Sequence, residues 1–312
     1  MNQSDGGDEM KILVVGAGAV GGYFGGRLAE KGEDVTFLVR ERRLRELKTS
    51  GLVINSLHGD IDLTPRLIEA GADETFDVII LSTKAYHLEQ VLQDIEPFVS
   101  EHTYILPLLN GMSHLKQLVD RFGEQRVLGG LCFIESTLDA QGHILQTSPS
   151  HHLLFGPLPG TRTDRLEELK QHLTGTAAPI NYSDTITRDM WNKYLFITTF
   201  SGVTSLFRSA IGPIRSREEG MTMIRRLATE AKEAMERQGA VFSDEIEQVQ
   251  QQQIAQMAET MKSSLQRDME KGSEVESAHL FGTLLSKDGP TQVLLPAIYA
   301  NLEIYRLSRK DV

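Results

Sequence analysis

The sequence predicts an α/β protein in which a doubly wound, largely parallel sheet is followed by an all-helical half. Three observations predict it. An apolar strand at residues 10–15 runs straight into a glycine-rich turn and then a helical pattern. Strand and helix patterns alternate from there through residue 108, as βαβ units do. Past residue 183 the strand signals stop and only helical periodicity remains. Together these describe a Rossmann-type domain joined to a helical one.

Residues 20–31 place Phe24, Leu28 and Ala29 at helical spacing, and residues 34–39 read as a second strand. Residues 41–50 form a charged helix with Leu44 and Leu47 on one face. Strands follow at 77–82 and 103–108, with a helix over 88–95 between them. From 126 to 155 short strands alternate with turn residues at 139–142 and 149–150, which predicts antiparallel additions to the same sheet. A helix at 164–173 and a strand at 179–182 close the half. In the helical half, residues 245–262 carry Ile246, Val249, Ile254, Met257 and Met261 in a loose stripe that reads as core.

The 312-residue chain has a formal charge of −11, which disfavours nucleic acid because phosphate-binding surfaces need clustered Lys and Arg. The single cysteine, Cys132, lies in an apolar stretch and can form neither an intrachain disulfide nor a cysteine metal cluster. No metal-ligand spacing, nucleophile elbow or Walker loop occurs. Residues 1–9 are polar and acidic and read as a disordered tail rather than a secretory signal. With no apolar run long enough to span a bilayer, the expectation is a cytoplasmic protein without a membrane partner.

Gly16, Gly18 and Gly21 form G-x-G-x-x-G between strand and helix. The first glycine permits the turn, the second lets backbone approach a pyrophosphate, and the third lets helix pack on strand. The helix N-terminus, with Ala19 and Val20 just ahead of it, adds N–H groups and partial positive charge. The position closing the second strand carries an acid where a ribose 2′-hydroxyl is bound, but here it is Arg40. A guanidinium pairs with a 2′-phosphate, so NADP is the expected cofactor; the competing reading is that Arg40 merely opens a solvated helix. The expected domains are then an NADP-binding Rossmann domain over 10–182 and a helical substrate and catalytic domain over 183–312.

Lys84 and Asn110 each follow a strand at the carboxyl end of the sheet, where ligands of doubly wound folds bind, although either suits an ordinary cap or loop. Lys193 lies in the apolar run 191–200. A partly buried lysine can give up a proton near neutral pH, whereas one that rests its stem on apolar surface with its head in water does no chemistry. Glu274, Glu276, Ser263 and Ser264 gain no catalytic claim from spacing alone.

These residues resemble the ketopantoate reductases (2-dehydropantoate 2-reductases). The resemblance runs from residue 10 through nearly the whole chain. It rests on residues 11–22 (KILVVGAGAVGG), Arg40, the lysine motif at 83–85, residues 110–112 (NGM), 191–193 (WNK) and 263–274 (SSLQRDMEKGSE). It implies a fold like that of 6-phosphogluconate dehydrogenase and NADPH-dependent reduction of ketopantoate to pantoate, toward pantothenate and coenzyme A. A different 2-keto acid, and a sensor that binds NADPH without turnover, are the alternatives. It also implies that Lys193 is the general acid, Glu274 the acid that contacts the substrate hydroxyl, and Ser264 a substrate contact. Asn110 would lie between nicotinamide and substrate, Lys84 beside the cofactor, and the active site in the cleft between the domains. The chain departs from the family where asparagines are replaced by Ile197, Ser201 and Ile211, and the loop before Glu274 is about two residues shorter. Substrate identity is thereby left open, as is oligomeric state, with a homodimer allowed.

Overall fold

The computed structural model describes residues 10–286 and 292–309, so the tail expected at 1–9 lies outside the described residues. The chain divides into two compact units. One holds the chain up to Leu109 and His114–Ile186; the other holds Asn110–Ser113 and Thr187 onward.

The first unit begins with β1 (Lys11–Val15), α1 (Gly21–Lys31), β2 (Asp34–Leu38) and α2 (Glu41–Ser50). Three short strands come next, β3 (Leu52–Ser56), β4 (Ile61–Leu63) and β5 (Arg66–Ile68), then β6 (Phe76–Leu81), α3 (Leu88–Ile95) and β7 (Val99–Pro107). The unit continues through α4 (Ser113–Phe122), β8 (Leu128–Leu138), β9 (Ile144–Pro157), α5 (Leu166–Leu173) and β10 (Ile180–Tyr182). One sheet has the order β5-β2-β1-β6-β7 and is parallel at every pairing. Its strands are apolar on both faces because both faces are covered. Ile12 and Val14 of β1 join a core with Tyr23, Phe24 and Leu28 of α1, while Leu13 and Val15 join a second core with Val91 and Leu92 of α3. Period-two alternation on one strand thus feeds two cores, which is what double winding means in side-chain terms.

The expected antiparallel additions to this sheet do not occur. Val127 makes one parallel bridge to Ile105, after which β8 leaves to pair antiparallel with β9 in a separate mixed sheet of order β10-β9-β3-β4. The turn expected at 149–150 lies within β9, as a bulge where the register slips between Ile134 and Ser136. Pro149 has no N–H to give a ladder, and a bulge is where a strand tolerates that.

The second unit is helical: α6 (Ile186–Phe207), which starts at its boundary, α7 (Ile211–Arg215), α8 (Glu218–Glu236), α9 (Ile246–Gln256), α10 (Ser264–Glu270), α11 (Ser277–Leu280) and α12 (Leu294–Ser308). Leu195, Ile224, Leu227, Phe281 and Ile298 pack at its centre. The helix expected over 245–262 ends at Gln256, and of the proposed stripe Val249 is 49% exposed while its neighbour Gln250 is buried. Gln250 turns inward because its side-chain N–H donates to the Asn192 carbonyl at 3.1 Å. Among the described residues no helix is long and apolar enough to cross a membrane.

Candidate active site

β1 and β6 are neighbours whose connections leave in opposite directions, so their carboxyl ends form the switch point of the parallel sheet. Gly16 follows β1 with φ +96°, and a Cβ there would meet Ser82 O at 2.6 Å. A Cβ on Gly21 would lie 2.2 Å from Gly16 O and 2.8 Å from Ser82 Cβ, whereas one on Gly18 would meet nothing within 4 Å. Two glycines therefore serve packing within the protein, and the third leaves a bare backbone facing open space. α1, with Val20 as its N-cap residue, has no side-chain cap and no acid in its first turn; the Gly22 N–H donates back to Gly18 O at 2.8 Å, and the positive end of the helix dipole faces no competing carboxylate of that turn.

Two side chains fix the loop's orientation. Arg43 Nε donates to Ala17 O at 2.8 Å, and Ser136 Oγ donates to Ala19 O at 3.0 Å. Across a trans peptide the carbonyl and the next N–H point in opposite directions. Holding those two carbonyls therefore aims the N–H groups of Gly18 and Val20 away from Arg43 and Ser136.

Beside the loop is a cavity of about 430 Å³ lined by Gly16, Gly18, Val39, Arg40 and Arg43 among others, within the usual size range of small-molecule sites. Arg40 is the extended residue before α2 and is exposed. Arg43, one turn further on, also donates from one terminal nitrogen to Gly142 O at 2.8 Å and to Glu46 at 3.0 Å. Its other terminal nitrogen is shielded from solvent and has no acceptor among the described residues. The hydrogen bond from Arg43 is the leading reason Glu46 titrates below the usual carboxylate range. A bare loop and two guanidinium groups around one cavity, with an uncapped helix start following the loop, fit a dinucleotide. Lys84 is half-buried at the end of β6, where it precedes the 3₁₀ turn Ala85–His87.

In the second unit Lys193 lies on α6 and is only 8% exposed. One and two turns along the same helix come Ile197, half-buried, and Ser201, buried. Ile211, the third asparagine replacement, is wholly buried in the core and its N–H donates to Met261 O at 3.0 Å. Ser264 is exposed in the first turn of α10. Its neighbour Ser263 is the buried residue: its hydroxyl caps α10 by accepting from Gln266 N at 3.1 Å and pairs with Thr204 Oγ1 at 2.8 Å. Arg306 is held above its ordinary value first by the hydrogen bond it donates to Glu303 and also by the charge of Glu274. Glu276 immediately precedes α11 as its N-cap residue.

Asn110 follows β7 and belongs to the second unit with Gly111 and Ser113. His279 of α11 holds the segment: Nε2 lies 2.5 Å from Asn110 O and Nδ1 lies 2.9 Å from Ser113 Oγ. The first unit thus gathers Gly16, Gly18, Ala19, Val20, Gly21 and Arg40, with Lys84 at the adjacent strand end, and the second carries Asn110, Lys193, Ser264 and Glu274. Sequence reasoning did not single out Arg43, Ser136 or His279, and it named Ser263 without giving it a role. Arg43 alone had a signal, one helical turn from Arg40.

The parallel sheet, the glycine loop at its switch point and the helical unit define an NAD(P)-dependent oxidoreductase of the Rossmann type. Residues 12–160 match ketopantoate reductase PanE/ApbA, and residues 185–300 match ketopantoate reductase PanE/ApbA C terminal. The chain belongs to the ketopantoate reductase family. An uncharacterized oxidoreductase of Bacillus subtilis (strain 168), YkpB, is 44% identical over 303 residues, covering 96% of this chain and 100% of that protein. A 2-dehydropantoate 2-reductase of Mesorhizobium japonicum is 26% identical, covering 95% of this chain and 99% of its own length. The crystal structure of 2-dehydropantoate 2-reductase from Geobacter metallireducens GS-15 has a TM-score of 0.85 at 27% identity, covering 95% of this chain and 99% of that one.

Proposed function

We propose that the enzyme reduces ketopantoate to pantoate with NADPH, in the cytoplasm and on the route to pantothenate and coenzyme A. The observation that carries this reading is Lys193, an amine 8% exposed on α6 in a chain of this family. Bound NADPH supplies the hydride. Ketone reduction then needs a group that meets the negative charge developing on oxygen and one proton for that oxygen. Lys193 Nζ supplies both: its ammonium charge stabilises the alkoxide and its proton completes the alcohol, after which the amine is reprotonated from solvent. Arg40 supports NADPH over NADH, because its guanidinium attracts a 2′-phosphate at the cavity rim. Lys84 stands beside the cofactor.

Two carboxylates compete to contact the substrate hydroxyl. Glu274, the residue the resemblance names, acts electrostatically on Arg306. Glu276 directly precedes α11, whose His279 grips the Asn110 segment. Placing the acid at Glu276 also restores the two residues by which the loop before Glu274 is short. Likewise the exposed Ser264 is free to reach substrate, whereas the Ser263 hydroxyl is engaged in capping α10.

A second reading is favoured by Ile197. An aliphatic side chain one turn from Lys193, where the resemblance implies an amide, suits a 2-keto acid with a less polar tail. NADPH consumption over a panel of 2-keto acids tests both readings. Ketopantoate as the best substrate supports the first, a preferred apolar 2-keto acid supports the second, and no consumption with any of them rejects both. Lys193→Ala should abolish most turnover while sparing NADPH binding. Glu276→Gln should cut turnover more than Glu274→Gln.

A further inference from the structure

The Asn110 segment is a four-residue excursion of the chain into the helical unit. Gly111 in its middle has φ +80°, and a Cβ there would come 3.2 Å from His279 Nε2. Glycine at this position therefore serves two needs, the left-handed backbone and the close approach of an imidazole. The imidazole is bonded at both nitrogens to that one segment, to Asn110 O at 2.5 Å and to Ser113 Oγ at 2.9 Å.

We infer that His279 is a positioning residue that sets the Asn110 turn for the reaction. The inference rests on the proposed place of Asn110 between nicotinamide and substrate. A carbonyl oxygen only accepts, so Nε2 carries the proton toward Asn110, and in the neutral ring Nδ1 accepts from the Ser113 hydroxyl. Of the two bonds, the one to Asn110 O holds the turn itself, and the one to Ser113 Oγ steadies the ring that makes it. Residues that hold a reacting group in place act on turnover through geometry, without touching the reacting atoms. Glu276 is the N-cap residue of the four-residue helix that carries His279, so one element holds the Asn110 turn and places the proposed acid.

The two nitrogens can be separated by substitution. In His279→Gln the side-chain N–H reaches about where Nε2 was and keeps the bond to Asn110 O. In His279→Asn the shorter amide reaches about where Nδ1 was and keeps only Ser113. Steady-state kcat and KM, NADPH affinity and melting temperature are measured for both variants, for Asn110→Ala, and for each His279 variant combined with Asn110→Ala. The expected result is a kcat about tenfold lower for His279→Asn, the scale of one hydrogen bond, and a kcat near wild type for His279→Gln, with KM and NADPH affinity little changed. In the Asn110→Ala background the His279→Asn loss should disappear, because the two residues act as one unit. Equal kcat for the Gln and Asn variants, or losses that multiply in the double variant, would overturn the inference and leave the role of Asn110 standing. Wild-type turnover by Asn110→Ala would overturn both.

Discussion

Gly21→Ala and Gly18→Ala change the same motif by the same methyl group, and the structure predicts different outcomes. At position 21 the new Cβ would lie 2.2 Å from Gly16 O and 2.8 Å from Ser82 Cβ, so α1 must move off the β1 and β6 ends by about an ångström or more. Overpacking of this kind costs about 1–3 kcal/mol. For a unit of this size that lowers the melting temperature by about 2–4 °C per kcal/mol. The displaced loop should also weaken NADPH by about tenfold or more, since each 1.4 kcal/mol is a factor of ten. At position 18 the added methyl meets no protein atom within 4 Å. Stability should then stay within about 0.5 kcal/mol of wild type, while NADPH affinity falls because the methyl occupies the space through which the pyrophosphate approaches. Differential scanning fluorimetry gives the first quantity and quenching of tryptophan fluorescence by NADPH the second. Unchanged melting and unchanged affinity in Gly21→Ala would refute the packing argument. Unchanged affinity in Gly18→Ala would refute the assignment of the open face to the cofactor.

Arg43→Ala removes a charge facing the cavity together with the bonds to Ala17 O and Gly142 O. Calorimetric titration should show 2′,5′-ADP weakened about tenfold more than 5′-AMP; equal losses would reduce Arg43 to a brace for the loop. His151 lies in the first unit with its ring stacked 3.4 Å from His58 and its Nδ1 2.7 Å from the hydroxyl of Tyr23. Burial, followed by the charges of His58, Arg27 and His152, pushes its pKa below the ordinary histidine value. A depressed value in the folded state means the unfolded chain takes up the proton first, so this stability is fully present above about pH 6.5 and is lost as pH falls through the folded value. Urea unfolding of His151→Gln should show a shallower loss of stability on the acid side than wild type, and an identical slope would exclude His151 as a contributor.

The parallel sheet was legible because each strand, buried on both faces, writes a continuous apolar run, as in KILVV and DVIIL. The strands β3 to β5 were not, being three to five residues long and half-polar at one face or edge. The second sheet escaped for a different reason. Local alternation predicts antiparallel pairing well but says nothing about which sheet a hairpin joins, and β8 changes allegiance after one bridge to β7. Among the candidate site residues, Gly16 to Gly21 and Arg40 could be proposed because their spacing is local. Arg43 could have been found by carrying the helix phase one turn beyond Arg40. His279 could not, because the residues it holds lie 169 and 166 positions earlier and no periodicity spans that distance.

The same separation orders the birth of the enzyme. When the ribosome has completed residue 186, every strand of both sheets exists, and the dinucleotide-binding unit has all its pairing partners. The four residues from Asn110 to Ser113 are the exception, since their imidazole has yet to be synthesised. A nascent chain stalled in the helical half would thus carry a finished glycine loop and an unanchored turn. On the proposed role of His279, that turn is set only once α11 has emerged.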